Sequence, residues 1–461
     1  MHFKPTLTQI EPKHNIQLMK IFPVVCLIFC LAFYCGSIKA QQAWTLDQCM
    51  DTALKRNLTL AKAANNKIVS RADYQQAKMK YIPSLNASIF SGTTWGIYVI
   101  PALNQLVNGN NIGSSENLNA SINLYEGMRK PNTLKEKREG MDLNDNNYTK
   151  SANDISVLTI QQYFQVLLDV ETVVKAEQTV KQSQLQVERS KNLYAQQSLA
   201  AGDLYNMQSQ LATDQFNLVN ARNTMESDYL ALRQTLVIDE DTAFRVLPVS
   251  DDSSQIVFPF NLEQCIEMSV KSAPELKIAA NNARMAELNA SIQRAALQPT
   301  LSFTPSIGTT TSNLYPISLE NQLADNRTIS LGFNLSLPLF NNYTNQFAVV
   351  NAEINYRNSM LDESIADKDL AKKIENAYHD IIAGEKKYSA AKEQLHFAGE
   401  NFKYESEKFS LGMNNALTYN DAKSKLIQAQ IDMASAKYDF LMKKRVMLVY
   451  MGLNGQGQQI K

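Results

Sequence analysis

Side chains that could carry out chemistry are few in this sequence. Beyond residue 40, the only cysteines and histidines are Cys49, Cys265, His379 and His396. They form no CxxC or HExxH motif, and GxSxG, P-loop and GxGxxG motifs are also missing from the sequence. Carboxylates are spread along helical segments rather than gathered. The sequence therefore predicts a protein that is not an enzyme and has no metal or cofactor.

The two cysteines and two histidines are better explained by structure. Cys49 and Cys265 could form a disulfide in an oxidising compartment, or each could be a small buried side chain at an equivalent point of a repeat. The second interpretation is favoured. His379 and His396 fall within a long helical pattern, and we expect them on a helix face beside its apolar seam.

Composition narrows the class of protein. The chain has 461 residues, and Lys+Arg and Asp+Glu both total 45, so the formal net charge is zero. A balanced charge removes the bulk electrostatic argument for a nucleic-acid partner. Glycine and proline number only 16 and 13, which favours long helices over a loop-rich fold.

The N-terminus has the pattern of a targeting segment. Met19 and Lys20 precede an apolar run over residues 21–35, and Ala40 offers a small residue for cleavage. This predicts a secretory signal peptide over residues 1–40, with an anchoring helix as the alternative. No later apolar run reaches the roughly 18 residues of a membrane-spanning helix. If the protein enters a membrane, we expect it to do so through strands.

The sequence contains an internal duplication. WTLDQCMDTALKRNLTLAKAANN, from Trp44, aligns with FNLEQCIEMSVKSAPELKIAANN, from Phe260, and Pro83 aligns with Pro299 at a constant offset of 216 residues. So long a period indicates two complete substructures rather than a solenoid. We predict a first repeat over residues 41–249 and a second over residues 250–461.

Each repeat predicts the same order of elements. A helix over 46–82 or 262–298 leads into an alternating strand, a polar loop near 104–117 or 309–326, and a second strand. A very long helix, a turn and a return helix follow. The turns are predicted near Gly202 and Gly412, with return helices over about 204–236 and 417–449.

Heptad repeats mark the long helices. The first-repeat series is Val166, Val173, Val180, Val187 and Tyr194, and the second-repeat series is Ile374, Ile381, Tyr388, Leu395, Phe402 and Phe409. A strict heptad predicts left-handed supercoiling against a neighbouring helix. The second-repeat helix, over about 345–409, would be roughly 100 Å long.

The predicted strands have one apolar and one polar face. From Ile329 to Leu339 every second residue is apolar, and the intervening residues are small or polar. Strands of this length and pattern are typical of a transmembrane β-sheet, although a soluble sheet packed on helices also alternates. Four strands cannot close a barrel, and an open edge cannot lie in lipid. Several chains must then share one barrel, with eight strands from two copies or twelve from three.

The repeated plan resembles the TolC-type outer-membrane efflux channels. The resemblance covers almost the whole mature chain and includes the LDQC/LEQC helix starts, the segments INLYEGMR and LSLPLFNNY, and the tip segment FSLGMNNALTYNDAKSKL. It implies a mainly α fold: duplicated coiled-coil hairpins forming an α-barrel, and four strands per chain in a twelve-stranded β-barrel of a homotrimer. It also implies a small mixed belt near residues 237–260 and at the C-terminus.

The resemblance further implies a location and partners. The barrel would lie in outer-membrane lipid and the helices in the periplasm, as the passive exit duct of a tripartite efflux system. A periplasmic adaptor would connect it to an inner-membrane pump, and no nucleic acid is involved. The same tube could instead serve type I polypeptide secretion, and a coiled-coil structural protein without a pore is a third hypothesis.

In the family, the hairpin tips close the periplasmic aperture. Matched position by position, Phe409 stands for a Tyr and Asn414 for an Arg that bond to an Asp, where this chain has Ala195. Thr418 and Asp421 stand for two aperture acids. Because only Asp421 keeps its charge, the hypothesis is a weaker latch of amides and hydroxyls. Asp421 itself either lines the pore or is a solvated charge on the return helix. The predicted latch is Gln196, Gln197, Asn414 and Asn415, and the predicted tip set is Tyr194, Gly202, Phe409, Gly412, Asn414, Thr418 and Asp421.

Overall fold

The computed structural model describes residues 42–100, 104–239, 244–248 and 258–453. The predicted signal peptide, the predicted boundary between repeats at 249/250 and the end of the predicted C-terminal belt lie outside the described residues. None of the helices within these ranges is long and apolar enough to cross a membrane.

The two halves of the chain have the same order of long elements. The first half contains β1 (Gln42–Trp44), α1 (Leu46–Arg56), α2 (Leu58–Met79), β2 (Ser84–Ile100), β3 (Gln105–Tyr125), α3 (Arg129–Ala195), α4 (Ala201–Leu236) and β4 (Phe244–Val246). The second half contains α5 (Leu262–Ser272), α6 (Pro274–Ala295), β5 (Thr300–Ser312), α7 (Leu319–Asp325), β6 (Thr328–Ser336), α8 (Thr344–Ser410) and α9 (Ala416–Tyr450).

The helix that opens each repeat is broken, so the prediction of single helices over 46–82 and 262–298 is wrong. Asn57 leaves the helical conformation at ψ 128°, and its side chain accepts hydrogen bonds from the backbone of Thr59 and Leu60 to begin α2. Ala273 is extended because it precedes Pro274, whose ring disfavours the helical conformation of the residue before it.

Strands replace much of the predicted loops. Residues 104–117, predicted as a loop, lie almost entirely in β3, which pairs with β2 from Ile100↔Gln105 to Ser84↔Ser121. In the second repeat, β5 extends to Ser312, and α7 occupies part of the predicted loop 309–326. A segment rich in Asn and Gly conceals a strand because it lacks the alternation of apolar and polar residues from which strands are predicted.

The four long strands form one antiparallel sheet in the order β2-β3-β5-β6. Ala87 pairs with Leu118, Leu118 with Ile307 and Ile307 with Ile329, so the apolar residues of all four strands lie on one face. No other described residue covers this face, and Leu331 and Phe333 are each 70% exposed. β2 and β6 are the open edges of the sheet.

The passage from sheet to long helix has the same backbone geometry in both repeats. Gly127 and Met128 precede α3, and Asn342 and Tyr343 precede α8, all with φ between 53° and 69°. Two successive left-handed residues reverse the chain sharply. A Cβ on Gly127 would lie 2.9 Å from the carbonyl oxygen of Ala295, so glycine is required there for close packing as well.

Two helical hairpins, α3/α4 and α8/α9, extend from the sheet. The predicted bounds of α8 and α9 are confirmed to within a residue or two. Four of the first-repeat seam residues are buried, but Tyr194 is exposed because it lies in the last turn of α3, beyond the packed seam. In the second series Ile374 and Ile381 are buried, and the residues from Tyr388 onward are half-buried.

A small two-stranded sheet packs against the middle of the first hairpin. β1 and β4 pair in parallel and pack Trp44, Phe244 and Val246 against a core on α3 that includes Phe164 and Tyr163. The Tyr163 hydroxyl lies 3.0 Å from the Trp44 carbonyl oxygen and 2.7 Å from that of Leu247. This sheet includes part of the segment that the family resemblance assigned to a mixed domain.

Cys49 and Cys265 are free and fully buried, each in its own hydrophobic cluster. Burial raises the pKa of the Cys49 thiol to about 12 and that of Cys265 to about 11, so neither forms a reactive thiolate near neutral pH. The preferred interpretation of the cysteines, as small core residues rather than a disulfide, is confirmed. His379 and His396 lie within α8, as expected.

Candidate functional site

The candidate site is formed by the tips of the two hairpins. At the first tip, α3 ends at Ala195 and α4 begins at Ala201. At the second tip, α8 ends at Ser410 and α9 begins at Ala416, which lies next to the first tip: its backbone N–H donates to Asp203 Oδ1 at 3.3 Å. The described chain therefore joins the tips of the two repeats directly.

The glycine predictions for the turns have different outcomes. Gly412 has φ +71°, a conformation that other residues resist, and so supplies the predicted turn. Gly202 lies inside the first turn of α4, which makes the prediction of a turn there wrong. Gln197, with φ 60°, takes the left-handed position in the first tip. Because Gln197 is not a glycine, sequence inspection gave no signal for it.

Aromatic packing holds the second tip. The ring of Phe409 lies 5.1 Å from that of Tyr419, and Phe402 lies 5.5 Å from Tyr419 on the other side. Tyr419 also packs with Val187 and Met207 of the first hairpin, and its burial raises its pKa. Phe409 thus contacts its own hairpin through apolar surface, where the family has a tyrosine.

Asn414 and Asn415 are engaged within the second hairpin. Asn414 Nδ2 donates to the Glu405 carbonyl oxygen at 3.0 Å and to Glu405 Oε2 at 2.8 Å. Asn414 Oδ1 is buried and has no partner among the described residues. Asn415 caps α9 by accepting from the Thr418 backbone at 3.0 Å and from the Thr418 hydroxyl at 3.1 Å.

The remaining tip residues are exposed. Tyr194, Ala195, Gln196 and Gln197 face solvent at the end of the first hairpin. Asp421 forms an exposed ion pair with Lys425 at 2.8 Å, one helical turn away. An exposed pair of this kind contributes at most about 1 kcal/mol to stability. The amide latch stays a prediction: Asn414 and Asn415 bond within their own hairpin, and no hydrogen bond joins them to Gln196 or Gln197 among the described residues.

Above the tips, a charged cluster joins three helices. Lys423 on α9 donates to Asp214 Oδ2 on α4 at 2.8 Å and to the Ser183 hydroxyl on α3. The side chains of Lys423 and Asp214 are each only 4% exposed. Gln210 Nε2 donates to the second Asp214 oxygen at 2.9 Å. We call Ser183, Asp214 and Lys423 the buried triad.

The buried triad fixes how the hairpins meet. A buried charge is costly unless it is paired and hydrogen-bonded, so each charge of the triad holds the other in place. Lys423 comes from the second repeat, and Ser183 and Asp214 come from the first. The two hairpins are therefore linked by a directional polar contact as well as by apolar packing.

A second acidic feature lies higher in the first hairpin. Asp169 on α3 is buried, and Gln165 Nε2 donates to its Oδ1 at 3.1 Å. Burial, and the hydrogen bond and charge of the neighbouring Asp228 on α4, raise the pKa of Asp169 to about 7. Asp169 therefore changes its protonation near neutral pH.

Sequence reasoning found the tips but missed the polar contacts behind them. The heptads and Gly412 located the second tip, and Phe409, Asn414 and Thr418 do lie together there. Neither Asp203 nor the buried triad was predicted, because their partners are more than 200 residues apart in sequence. The one available signal was Ser183 itself, a serine within the heptad helix.

The fold is shared with solved outer-membrane channels. The chain superposes on the Campylobacter jejuni CmeC outer membrane channel with a TM-score of 0.75 and 16% identity, covering 90% of this chain and 87% of that one. With the open state of the Neisseria gonorrhoeae MtrE outer membrane channel it shares a TM-score of 0.73 and 18% identity, covering 90% of each chain. With the Vibrio cholerae outer membrane protein VceC it shares a TM-score of 0.74 and 13% identity, covering 89% of this chain and 96% of that one.

The family assignment comes from the sequence itself. The sequence has no significant match among curated proteins. Residues 49–236 and 265–447 match the outer membrane efflux protein family, one segment in each half of the chain. The chain therefore belongs to the outer membrane efflux protein family and is a channel protein of the outer membrane with a role in efflux.

Proposed function

We propose that three copies of this chain form the passive exit duct of a tripartite efflux system. The duct receives small molecules from an inner-membrane pump through a periplasmic adaptor and releases them outside the cell. The observation that carries this proposal is the open four-stranded sheet with an uncovered apolar face. The signal peptide over 1–40 and the repeats 41–249 and 250–461 are part of the same proposal.

The sheet edges support a shared barrel. β2 and β6 each leave one side of their backbone without a strand partner in the described chain. An unpaired strand edge in lipid leaves backbone N–H and C=O groups without hydrogen bonds. Each such group costs on the order of several kcal/mol of free energy. Pairing β6 of one copy with β2 of the next satisfies both edges. Three copies then give twelve strands, enough to enclose an aqueous lumen.

The helices below the sheet support the same arrangement. They pack side by side in the order α2-α3-α6-α8, which follows the strand order above them. The outermost helices, α2 and α8, carry exposed apolar side chains such as Ile68, Val69, Phe347 and Leu361. Contact between α8 of one copy and α2 of the next covers these side chains and continues the wall of the barrel as a helical cylinder.

The second tip offers a surface for an adaptor. Leu411, Met413 and Leu417 surround the turn at Gly412 and are each 70% exposed or more. They lie at the end of the molecule farthest from the sheet, where a partner from the inner membrane would arrive. Exposed apolar residues grouped in this way mark an interaction surface.

Purified protein tests the proposal in two measurements. Native mass spectrometry should give three chains per particle, and planar bilayers should show stepwise conductance. A charge on the apolar sheet face, as in Phe333→Arg, should remove bilayer insertion because a charged residue at mid-membrane costs about 2–4 kcal/mol per copy. The matched control Asn334→Arg lies on the opposite face and should leave insertion intact. A monodisperse, non-conducting single chain in detergent-free buffer would contradict the proposal.

A further inference from the structure

One charged residue lies within the four long strands. Glu116 of β3 is the only Asp, Glu, Lys or Arg in β2, β3, β5 and β6. It pairs with Ile89 on one side and with Thr309 on the other, and it lies two residues from Leu118. Side chains two apart along a strand share a face, so Glu116 is on the apolar face of the sheet.

The Glu116 carboxylate is shielded and incompletely bonded. Its Oε2 atom is buried and has no hydrogen-bond partner among the described residues. An unsatisfied buried oxygen is unfavourable, and a charged one more so. The protein keeps this group at the end of the apolar part of the face, next to Leu118 and Ile89, which points to a partner outside the chain.

Glu116 lines a notch in the protein surface, and one cationic side chain, Arg327, lines the same notch. The notch has a volume of about 340 Å³, and its lining includes Leu118, Ile307, Leu323 and Arg327. Arg327 Nε donates to the Ala324 carbonyl oxygen at 3.2 Å. Within the described chain, the guanidinium forms no other hydrogen bond and no ion pair. Arg327 and Glu116 thus line one notch without pairing with each other.

The notch lies at a border of the apolar face. On one side are Leu118, Ile307 and Ile329, which continue along the sheet. On the other side the same face becomes polar, where the hydroxyls of Ser114 and Thr311 lie 2.6 Å apart. Such a change from apolar to polar is expected where a strand leaves the hydrocarbon of a membrane.

The short helix α7 covers one side of the notch. Gln322 of α7 donates to the Ser312 carbonyl oxygen at 3.0 Å and accepts from the Ser312 N–H at 2.7 Å, which fixes the helix against β5. Leu319 and Leu323 of the same helix remain exposed. The helix therefore presents apolar side chains at the level where the sheet face changes character.

We propose that this notch binds the phosphoethanolamine headgroup of a membrane lipid. The ammonium donates to the Glu116 carboxylate, the Arg327 guanidinium donates to the phosphate, and the acyl chains follow Leu118, Ile307 and Ile329. The inference rests on the proposed function, because it requires the apolar sheet face to lie in lipid.

The charges of the notch select this headgroup over others. A purely anionic headgroup would bring its phosphate to Arg327 but leave Glu116 without a cation. Phosphocholine carries both charges, but its quaternary nitrogen has no N–H to donate to Glu116. Charge-assisted hydrogen bonds are about twice as strong as neutral ones, so the loss of that bond should be measurable.

Native mass spectrometry of the purified oligomer tests the inference. Delipidated protein is incubated with equal amounts of dioleoyl phosphatidylethanolamine, phosphatidylglycerol and phosphatidylcholine, and the lipids retained are counted. The wild type should retain phosphatidylethanolamine about tenfold better than either competitor. Glu116→Gln should reduce its advantage over phosphatidylcholine to about one, and Arg327→Gln should reduce retention of both.

Glu320→Gln provides the control, since Glu320 is exposed on α7 and does not line the notch. It should behave as the wild type. Equal retention of the three lipids by the wild type, or an unchanged preference in Glu116→Gln, would overturn the inference. The oligomer mass in the same spectra and the conductance of each variant separate this failure from failure of the proposed duct.

Discussion

The two hairpins carry the same heptads but are covered differently. In the first hairpin, Val180 and Val187 on α3 are buried because α3 lies between α4 and α9. In the second hairpin, Ile381 is fully buried, but Leu395 farther down α8 is only half-buried. Near the tip, α8 packs within this chain mainly against α9. A heptad therefore predicts which face of a helix is apolar, while the number of neighbouring helices decides how far it is buried.

The difference assigns different tasks to the hairpins. The α3 seam of the first hairpin is buried within the chain as far as Val187, and the buried triad connects this hairpin to α9. The lower part of α8 keeps apolar surface that other copies would cover in the proposed trimer. Four changes to the chain test this contrast.

The largest effect is expected from breaking the buried triad. Lys423→Met leaves Asp214 buried and uncompensated, and should lower the free energy of unfolding by about 3–5 kcal/mol. Asp214→Asn combined with Lys423→Met removes both charges and should recover most of that loss. Thermal unfolding followed by circular dichroism measures both. The control is Lys425→Met, which removes the exposed ion pair with Asp421. If Lys423→Met lowers the free energy of unfolding no more than this control does, the triad does not connect the hairpins.

Apolar truncation should distinguish the upper and lower parts of α8. Ile381→Ala creates a cavity in a fully buried site and should cost about 2–5 kcal/mol. Leu395→Ala removes side-chain atoms that are half-exposed and should cost about 1 kcal/mol in an isolated chain. Chemical denaturation compares the two variants. A larger loss for Leu395→Ala in the oligomer than in the monomer would locate the missing neighbour on another copy.

The first hairpin should also respond to pH through Asp169. An ordinary aspartate has a pKa of about 3.9, and the folded value here is about 7. The folded state therefore holds a proton more tightly than the unfolded chain. This contribution to stability is fully present below about pH 4 and is lost as the pH rises through about 7. Asp169→Asn should flatten the melting temperature over this interval. An unchanged pH profile would contradict the pairing with Asp228.

The smallest effect is expected at the second tip. Asn414→Ala removes two hydrogen bonds to Glu405, each contributing about 0.5–1.5 kcal/mol, from a partly exposed turn. The fold should remain, while the single-channel conductance in planar bilayers should rise as the tip loosens. Asn313→Ala, in the turn that follows β5, serves as an amide control far from the aperture. If Asn414→Ala leaves conductance unchanged, Asn414 is not part of a latch.

The sequence predicted elements better than contacts. The bounds of α8 and α9 follow from heptads and Gly412, since helix packing is local and periodic. The breaks at Asn57 and Ala273 were missed because the apolar pattern continues through them, although Pro274 was visible. β3 was missed over residues 105–117 because its Asn and Gly residues resemble a loop. The buried triad and Glu116 depend on pairings that cross the chain, which no local pattern encodes.

The position of Tyr163 has a consequence for the order of assembly after export. Its hydroxyl meets the carbonyl oxygens of Trp44 and Leu247, the two ends of the first half of the chain. Phe244 and Val246, just before Leu247, belong to the same apolar core. A chain that enters the periplasm N-terminus first cannot form this core until residues 244–247 have crossed the inner membrane. Tyr438 and Val449 of α9 belong to this core as well, so it closes fully only after the second hairpin has also been delivered.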